Sequence, residues 1–251
     1  MPDFFETDIV IGTNDADASS RLSLFGAASL MQYLATVNSL KNGYDRENLV
    51  QSSNGFWIVS KIRINYKSVP KLNDKVHMKT WEIKPGRIII PRDFEFSDME
   101  GNVLFSATSE WCILDLDTHR PRRLDSTVVD TEGDFISYRC DAGEFSRLRY
   151  EVNEADLCFK RTIRSSDIDE NGHTNNVIYS RIVTDCFTTD FLHKNTVSSY
   201  ELHFISESRE ADELLVYKKE IDGGFYIQAV CGENTVIKAF LTFCEANYEK
   251  N

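Results

Sequence analysis

The sequence predicts an α+β fold built twice over, each copy a long central helix wrapped by an antiparallel sheet. Three observations carry this. Each half shows the same order of elements: one strand, a long helix, then four strands. Between the halves, from Leu124 to Arg149, hydrophobic periodicity fades while Asp, Ser, Thr and Gly accumulate, as a connector requires. Under a shift of 152 residues, Asp15 and Asp17 ahead of the first helix correspond to Asp167 and Asp169 ahead of the second, with Ser19 opposite Asn171 and Arg21 opposite His173. The repeated order weighs more than two matched identities. The expected division is a first repeat over 1–130, a connector over 131–152 and a second repeat over 153–251.

Taken in order, Leu24, Ala27, Ala28, Met31, Leu34 and Ala35 recur at the three-and-four spacing of one helical face, so a buried helix is expected to about Leu40. A polar loop is expected around Gln51 to Gly55. Strands follow over Trp57–Tyr66, where Lys61, Arg63 and Asn65 alternate with Ile62, Ile64 and Tyr66, and over Lys75–Lys84, Arg87–Ser97 and Val103–Asp115. Turn-forming stretches at 70–74, 84–86 and 99–102 divide them into an antiparallel meander. In the second half a strand over Cys158–Ile163 precedes a helix from Val177 to Leu192, with Tyr179, Ile182, Val183, Cys186 and Phe187 as its apolar face. Strands around Ser199–Ser206, Leu214–Ile221, Phe225–Cys231 and Thr235–Ala246 complete the copy.

The 251 residues suffice for a sizeable core, and the composition is that of a soluble globular protein. No apolar run approaches the roughly 20 residues needed to cross a bilayer, and the amino end lacks the basic start and apolar middle of a signal peptide, so a cytoplasmic location is expected. Six scattered cysteines form no Cys-x-x-Cys pair and read as reduced, structural thiols. With 40 acidic against 28 basic residues the formal charge is −12, which repels nucleic acid and anionic membranes, and neither is expected as a partner.

The chemistry-bearing stretch is Asp-Ile-Asp-Glu-Asn-Gly-His-Thr-Asn-Asn-Val-Ile-Tyr from Asp167 to Tyr179. In an extended segment Asp169, Asn171 and His173 leave the same face of the backbone, so one pocket receives all three. Asn175 or Asn176 suits the N-cap of the helix that follows, whose unpaired N–H groups favour a developing negative charge. Other readings compete. The alternation of oxygen-bearing residues from Asp167 with a glycine sixth resembles an EF-hand start, but the twelfth position is Ile178 where a bidentate glutamate is needed. Asp169, Asn171 and Asn176 also read as ordinary turn and capping residues. His77, His119, His193 and His203 read as surface or satisfied core histidines without a partner cluster. A metal at His173 lacks a second His or Cys at ligand spacing, so neither metal nor cofactor is expected.

A long helix wrapped by antiparallel sheet, twice over, is the layout of a double hot-dog protein, its two sheets joined edge to edge. The chain resembles the plant-plastid and bacterial acyl-acyl-carrier-protein thioesterases, whose second repeat carries Asp-x-Asn-x-His-x-Asn-Asn: Asp169, Asn171, His173, Asn175 and Asn176 match position for position. That family places a glutamate downstream, as Glu207 stands 34 positions after His173. Similar residues fall at Trp57 to Ile62, Asn73-Asp74, Trp81, Arg92-Asp93, Ser109 to Trp111 and Arg120 to Arg123. One departure is Ser208, where many plant members have a cysteine, so no cysteine at that position can be the required nucleophile here.

The resemblance implies a thioesterase releasing fatty acid from acyl carrier protein. Asp169 would hold the water or attack directly, His173 carry the proton, Glu207 orient His173 or act as base, and Asn171 donate to the carbonyl. It places Asn175 and Asn176 beside the substrate and the acyl chain along the first helix, with Phe25, Met31, Leu34 and Trp57 as contacts and the tunnel's depth set by Met31, Leu34 or Phe25. An acidic carrier, engaged through its phosphopantetheine-linked chain, needs a local basic patch; Arg120, Arg122, Arg123, Lys160, Arg161 and Arg164 are the candidates, or a charge run on a solvated face. An acyl-coenzyme A thioesterase, a hot-dog dehydratase and a non-catalytic acyl-binding protein remain as alternatives, as does a homodimer beyond the internal pairing.

Overall fold

The computed structural model describes residues 4–246. Their strands form one ten-stranded antiparallel sheet, and the two halves contribute to it in the same way. The first supplies β1 (Phe5–Val10), α1 (Leu24–Lys41), α2 (Arg46–Ser53), β2 (Gly55–Tyr66), β3 (Lys75–Glu82), β4 (Ile90–Ser97) and β5 (Val103–Asp115). The second supplies β6 (Leu157–Thr162), α3 (Asn176–Thr184), α4 (Thr189–Lys194), β7 (Asn195–Phe204), β8 (Glu213–Ile221), β9 (Gly224–Cys231) and β10 (Asn234–Glu245). The order β1-β3-β4-β5-β2-β7-β10-β9-β8-β6 reads as one five-strand pattern and its mirror, joined where Ile62 faces Leu202 and Ile64 faces Tyr200. Pairing β2 with β7 removes the open edge each half would otherwise present. This is the double hot-dog arrangement.

α1 begins where Ser23 accepts the Gly26 N–H (2.9 Å) and buries Ala27, Leu30, Met31, Leu34 and Ala35. A side chain at Gly26 would meet the Asp15 carbonyl at 2.3 Å, so only glycine lets the preceding loop lie this close to the helix. α1 and α3 share one core with both half-sheets, including Ile64, Phe94, Phe105, Ile182, Tyr200 and Ala239. Among the described residues no helix is long and apolar enough to cross a membrane.

Two expectations are corrected. The polar loop before β2 is the helix α2, started by Asp45, which accepts from Glu47 N (3.0 Å) and Asn48 N (3.2 Å), and ended by Asn54 in the left-handed region (φ 45°). Only Leu49 and Ser53 are buried, so capping forms this helix and apolar periodicity is absent. The second long helix is broken into α3 and α4. Thr188 caps α4 through Phe191 N (3.2 Å), and Phe187 turns into a cluster with Phe191, Phe225 and Phe243 at centroid distances of 5.0–5.2 Å. The apolar pattern crosses the break because α3 buries its face in the core and the half-buried Phe191 and Leu192 of α4 pack against the same core.

Residues 127–153 hold neither helix nor strand, yet they are tied to the sheet. The fully buried Asp93 takes Arg139 (2.8 Å) and Cys140 N (3.0 Å), Trp81 Nε1 donates to Tyr138 O (3.0 Å), and Arg63 Nε donates to Ala142 O (2.9 Å). A buried carboxylate needs such donors, and here the strap supplies them.

Candidate active site

The stretch carrying the polar triplet is a tight turn, which corrects the expectation of an extended segment. Ile168 bridges to Thr174, Asp169 N donates to His173 O (2.8 Å), and Gly172 N donates to Asp169 O (3.1 Å). The turn closes through Gly172 at φ +77° and through Asp169, whose Oδ1 accepts Asn171 N (2.8 Å) and His173 N (3.4 Å). Asp169 and Asn175 are therefore turn and cap residues in fact, Asn175 accepting Val177 N (3.2 Å). Asp169 Oδ2, however, has no partner among the described residues. Despite the turn, Asp169, Asn171, His173, Asn176 and Glu207 line one cavity of about 340 Å³.

Glu207, from the segment that continues β7, places Oε2 2.9 Å from His173 Nε2. Its other oxygen lies 3.5 Å from His119 Nδ1, and the two imidazoles meet edge to face at 5.8 Å. This overturns the reading of His119 as a histidine without a partner cluster. It sits in the turn just after β5 in the other repeat, 54 positions before His173, and no local pattern links them. His203, in contrast, is a satisfied core histidine bonded to Glu201 (2.7 Å).

The donor atoms of His119, His173 and Glu207 lie within 4.8 Å of one another, so the second imidazole that a metal site needs is present. Against a cation stands Arg209, whose Nη2 is 3.4 Å from His173 Nε2 and 4.0 Å from Glu207. Its positive charge opposes a second cation, weakly because the side chain is 64% exposed.

Ser208 is buried, its Oγ 2.8 Å from both Thr174 Oγ1 and Tyr179 Oη, while its carbonyl accepts Thr174 N (2.8 Å). It ties the turn to α3. Burial pushes the Tyr179 phenol above its ordinary range. Burial likewise pushes the Cys112 thiol up to about 11 and the Cys140 thiol up to about 12, and no cysteine lines either large cavity beside the turn.

That second cavity, also about 340 Å³, is lined by Ala35, Leu40, Ile90, Trp111 and the buried Arg92, and it shares Phe56, Trp57 and Asn171 with the first. Trp57 is held by its indole N–H on Tyr44 O (2.7 Å). The other expected chain contacts are not on the walls of these two cavities: Met31 lines a small void with Trp111 and Asn176, Leu34 is fully buried in the core, and Phe25 stacks under the Arg181 guanidinium at 3.6 Å. The space opens at the carboxyl end of α1 because Leu34 faces the packed core while Ala35, Thr36 and Ser39 face the chamber.

The basic candidates come from separate elements, and most of them are paired with carboxylates. Arg120 to Arg123 follow β5, Lys160 and Arg161 lie on β6, and five strands separate β5 from β6 in the sheet. Arg122 pairs with Asp115 (2.8 Å), Arg123 with Asp125, Lys160 with Glu213 (3.4 Å) and Arg161 with Asp167 (2.9 Å), whereas Arg120 and Arg164 are exposed. A basic residue the sequence reading missed, Arg46 of α2, donates from Nε to Asn171 Oδ1 (3.2 Å) and lies 3.4 Å from Glu170.

Ten strands in two mirrored halves, with an Asp-Asn-His turn facing a glutamate, define a double hot-dog protein with a polar cavity at that turn. Residues 2–131 match the family model described as acyl-ACP thioesterase N-terminal domain and residues 150–238 that of the C-terminal domain. The chain belongs to the acyl-ACP thioesterase family. It is similar to an acyl-[acyl-carrier-protein] hydrolase of Cuphea viscosissima (23% identity over 201 residues, 77% of this chain and 48% of that protein). It is also similar to a palmitoyl-acyl carrier protein thioesterase of Gossypium hirsutum (23% over 224 residues, 87% and 49%). Both relatives are named as chloroplastic, and this chain spans about half the length of each. Among solved structures, an acyl-ACP thioesterase from Bacteroides thetaiotaomicron aligns with a TM-score of 0.85 at 23% identity, covering 96% of this chain and 98% of that one. The 12:0-ACP thioesterase from Umbellularia californica aligns at 0.81 and 18%, covering 97% and 98%. These likenesses establish the fold.

Proposed function

We propose that the protein hydrolyses fatty acyl thioesters of acyl carrier protein, releasing free fatty acid. The observation that carries this reading is the His173–Glu207 pair at 2.9 Å, facing the same cavity as Asp169 and Asn171. Asp169 Oδ2 holds the attacking water, because Oδ1 is engaged by two backbone N–H groups. His173, oriented by Glu207, takes the water's proton as the oxygen adds to the carbonyl and returns it to the departing pantetheine thiolate. Asn171 offers its amide N–H to the carbonyl oxygen. Its Oδ1 is already taken by Arg46, a group that can only donate, so its NH₂ is left for substrate. The products are a carboxylic acid and a thiol, and the water supplies the balance.

In this reading the repeat over 1–130 houses the acyl chain in the chamber beside Trp57, the repeat over 153–251 supplies the chemistry, and residues 131–152 strap the two together. Asn171, Phe56 and Trp57 form the wall where chain and thioester meet. Asn175 supports the turn as a cap, and Asn176 lines the substrate cavity. The exposed Arg120 and Arg164 are the candidate carrier contacts; coenzyme A phosphates offer the same charge, so the carrier is decided by assay. A cytoplasmic setting accompanies the proposal, supported by six unpaired thiols.

The test is hydrolysis of acyl-carrier-protein thioesters of graded chain length beside the matching coenzyme A thioesters, with Asp169→Ala and His173→Ala as controls. Turnover on the carrier-bound series, lost in both variants, is expected. Chain binding with no turnover on either carrier sinks the enzyme reading.

A further inference from the structure

We infer that His119, lent to the site by the first repeat, is a positioning residue that holds the Glu207 carboxylate toward His173. The kinetic consequence rests on the thioesterase reading above, while the contact itself rests on geometry alone.

Glu207 has two oxygens and they face different imidazoles: Oε2 meets His173 at 2.9 Å and Oε1 meets His119 at 3.5 Å. A carboxylate on a partly exposed segment turns freely unless its second oxygen is held, and a carboxylate free to turn loses its aim at His173. His119 supplies that hold when its proton sits on Nδ1. At 3.5 Å the contact is longer than a formed hydrogen bond, and in this proposal it tightens into one when substrate closes the site. The remaining charged neighbour is Arg209, at 4.0 Å from Glu207 farther than His119 and, at 64% against 41% exposed, more open to competing water.

The turn that carries His119 is built to keep it there. His119 sits at φ +53°, in the left-handed region that residues other than glycine adopt uncommonly. Asp115 enforces it: its carboxylate accepts Thr118 N (2.9 Å), Thr118 Oγ1 (2.9 Å) and Asp117 N (3.2 Å), its carbonyl accepts His119 N (2.9 Å), and Arg122 braces it at 2.8 Å. These bonds hold the Asp115 carboxyl below the usual carboxylate range, the Thr118 N–H first among them. Asn54 fastens the same turn from α2's end through Asp117 (2.8 Å), and the buried Phe56 packs edge-on against the His119 ring at 5.6 Å.

The experiment compares His119→Gly, which accepts the left-handed backbone while removing the ring, with His119→Asn, which tolerates the same backbone and returns a donor near the Nδ1 position. On acyl-carrier-protein thioesters His119→Gly is expected to lower kcat by about tenfold to a hundredfold with KM nearly unchanged, and His119→Asn to recover most of it. In a Glu207→Gln background His119→Gly should cost nothing further, because its effect passes through that carboxylate. Nitrogen-15 NMR of the His173 ring should change in His119→Gly and revert in His119→Asn. An equal loss in both Glu207 backgrounds, or a His173 ring spectrum indifferent to His119, overturns the inference. If the unaltered protein turns over no acyl thioester, the thioesterase reading falls while the ring spectrum still decides the contact.

Discussion

Loop 15–23 ahead of α1 and loop 167–175 ahead of α3 share the same backbone bonding. Asp17 N donates to Arg21 O at 2.7 Å as Asp169 N donates to His173 O at 2.8 Å, and Ser20 N donates to Asp17 O at 3.0 Å as Gly172 N donates to Asp169 O at 3.1 Å. Asp17 Oδ1 accepts Ser19 N (2.8 Å) and Arg21 N (3.1 Å) just as Asp169 Oδ1 accepts Asn171 N and His173 N. Ala16 bridges to Leu22 as Ile168 bridges to Thr174, and Ser23 caps α1 as Asn175 caps α3. What differs is where the side chains go. Arg21 spends its guanidinium on Leu192 O, Asn195 O (3.2 Å) and Thr196 Oγ1, locking the first loop to the start of β7. His173 instead faces an open cavity and a glutamate. One frame thus serves as a joint in one half and as the candidate site in the other, and the aspartate in each is first a turn former.

The largest separation between the loops is expected at that paired position. His173→Ala should cut turnover by about a thousandfold through loss of the proton carrier, with stability little changed. Arg21→Ala should leave turnover per folded molecule intact and cost about 2 kcal/mol of stability, because acceptors at a half-buried joint lose a charged donor. Urea unfolding beside single-turnover hydrolysis reads both; an Arg21→Ala protein that folds normally but is inactive breaks the division. Next comes Asn171→Ala, expected to lower kcat about a hundredfold by removing a donor worth roughly 3 kcal/mol in the transition state. Its counterpart Ser19→Ala should do nothing to kcat, since the Ser19 hydroxyl is buried without a partner. In stability the loops should not separate at the aspartates: Asp17→Ala and Asp169→Ala should each cost about 1 kcal/mol by removing the same turn acceptor, while only the second lowers turnover.

The shared frame was readable in the sequence because the shift of 152 aligns Asp15 and Asp17 with Asp167 and Asp169, and because α1 and the strands carry strong periodicity. Asp169, Asn171, His173 and Glu207 were found together because three lie within five residues and the fourth at a spacing that resembles a family's. Other features have no short-range signature. His119 reaches the site only through the pairing of β2 with β5 and the left-handed turn beyond it. Arg46 reaches Asn171 from a helix defined by its caps. The break before Thr188 is hidden because an apolar face continues across it, and the position of the chamber depends on how α1 rotates against the sheet, which places Ala35 and not Leu34 on its wall.

The smallest expected difference concerns the residue that closes each turn. Ser20 holds φ +55° and Gly172 holds φ +77°, and a side chain at Gly172 would meet nothing within 4 Å. Any cost of Gly172→Ala is therefore backbone strain alone, about 1 kcal/mol for an L-residue held in the left-handed region. In the reverse change, Ser20→Gly, relief of that strain is offset by the extra freedom glycine gives the unfolded chain, so stability should move by less than about 0.5 kcal/mol. Because Asn171 precedes Gly172 directly, Gly172→Ala should also slow hydrolysis severalfold, whereas Ser20→Gly should not touch the rate. A Gly172→Ala protein with unchanged stability and unchanged rate would show that the glycine is not what shapes the second turn, and the divergence of the two loops would then rest on positions 171 and 173 alone.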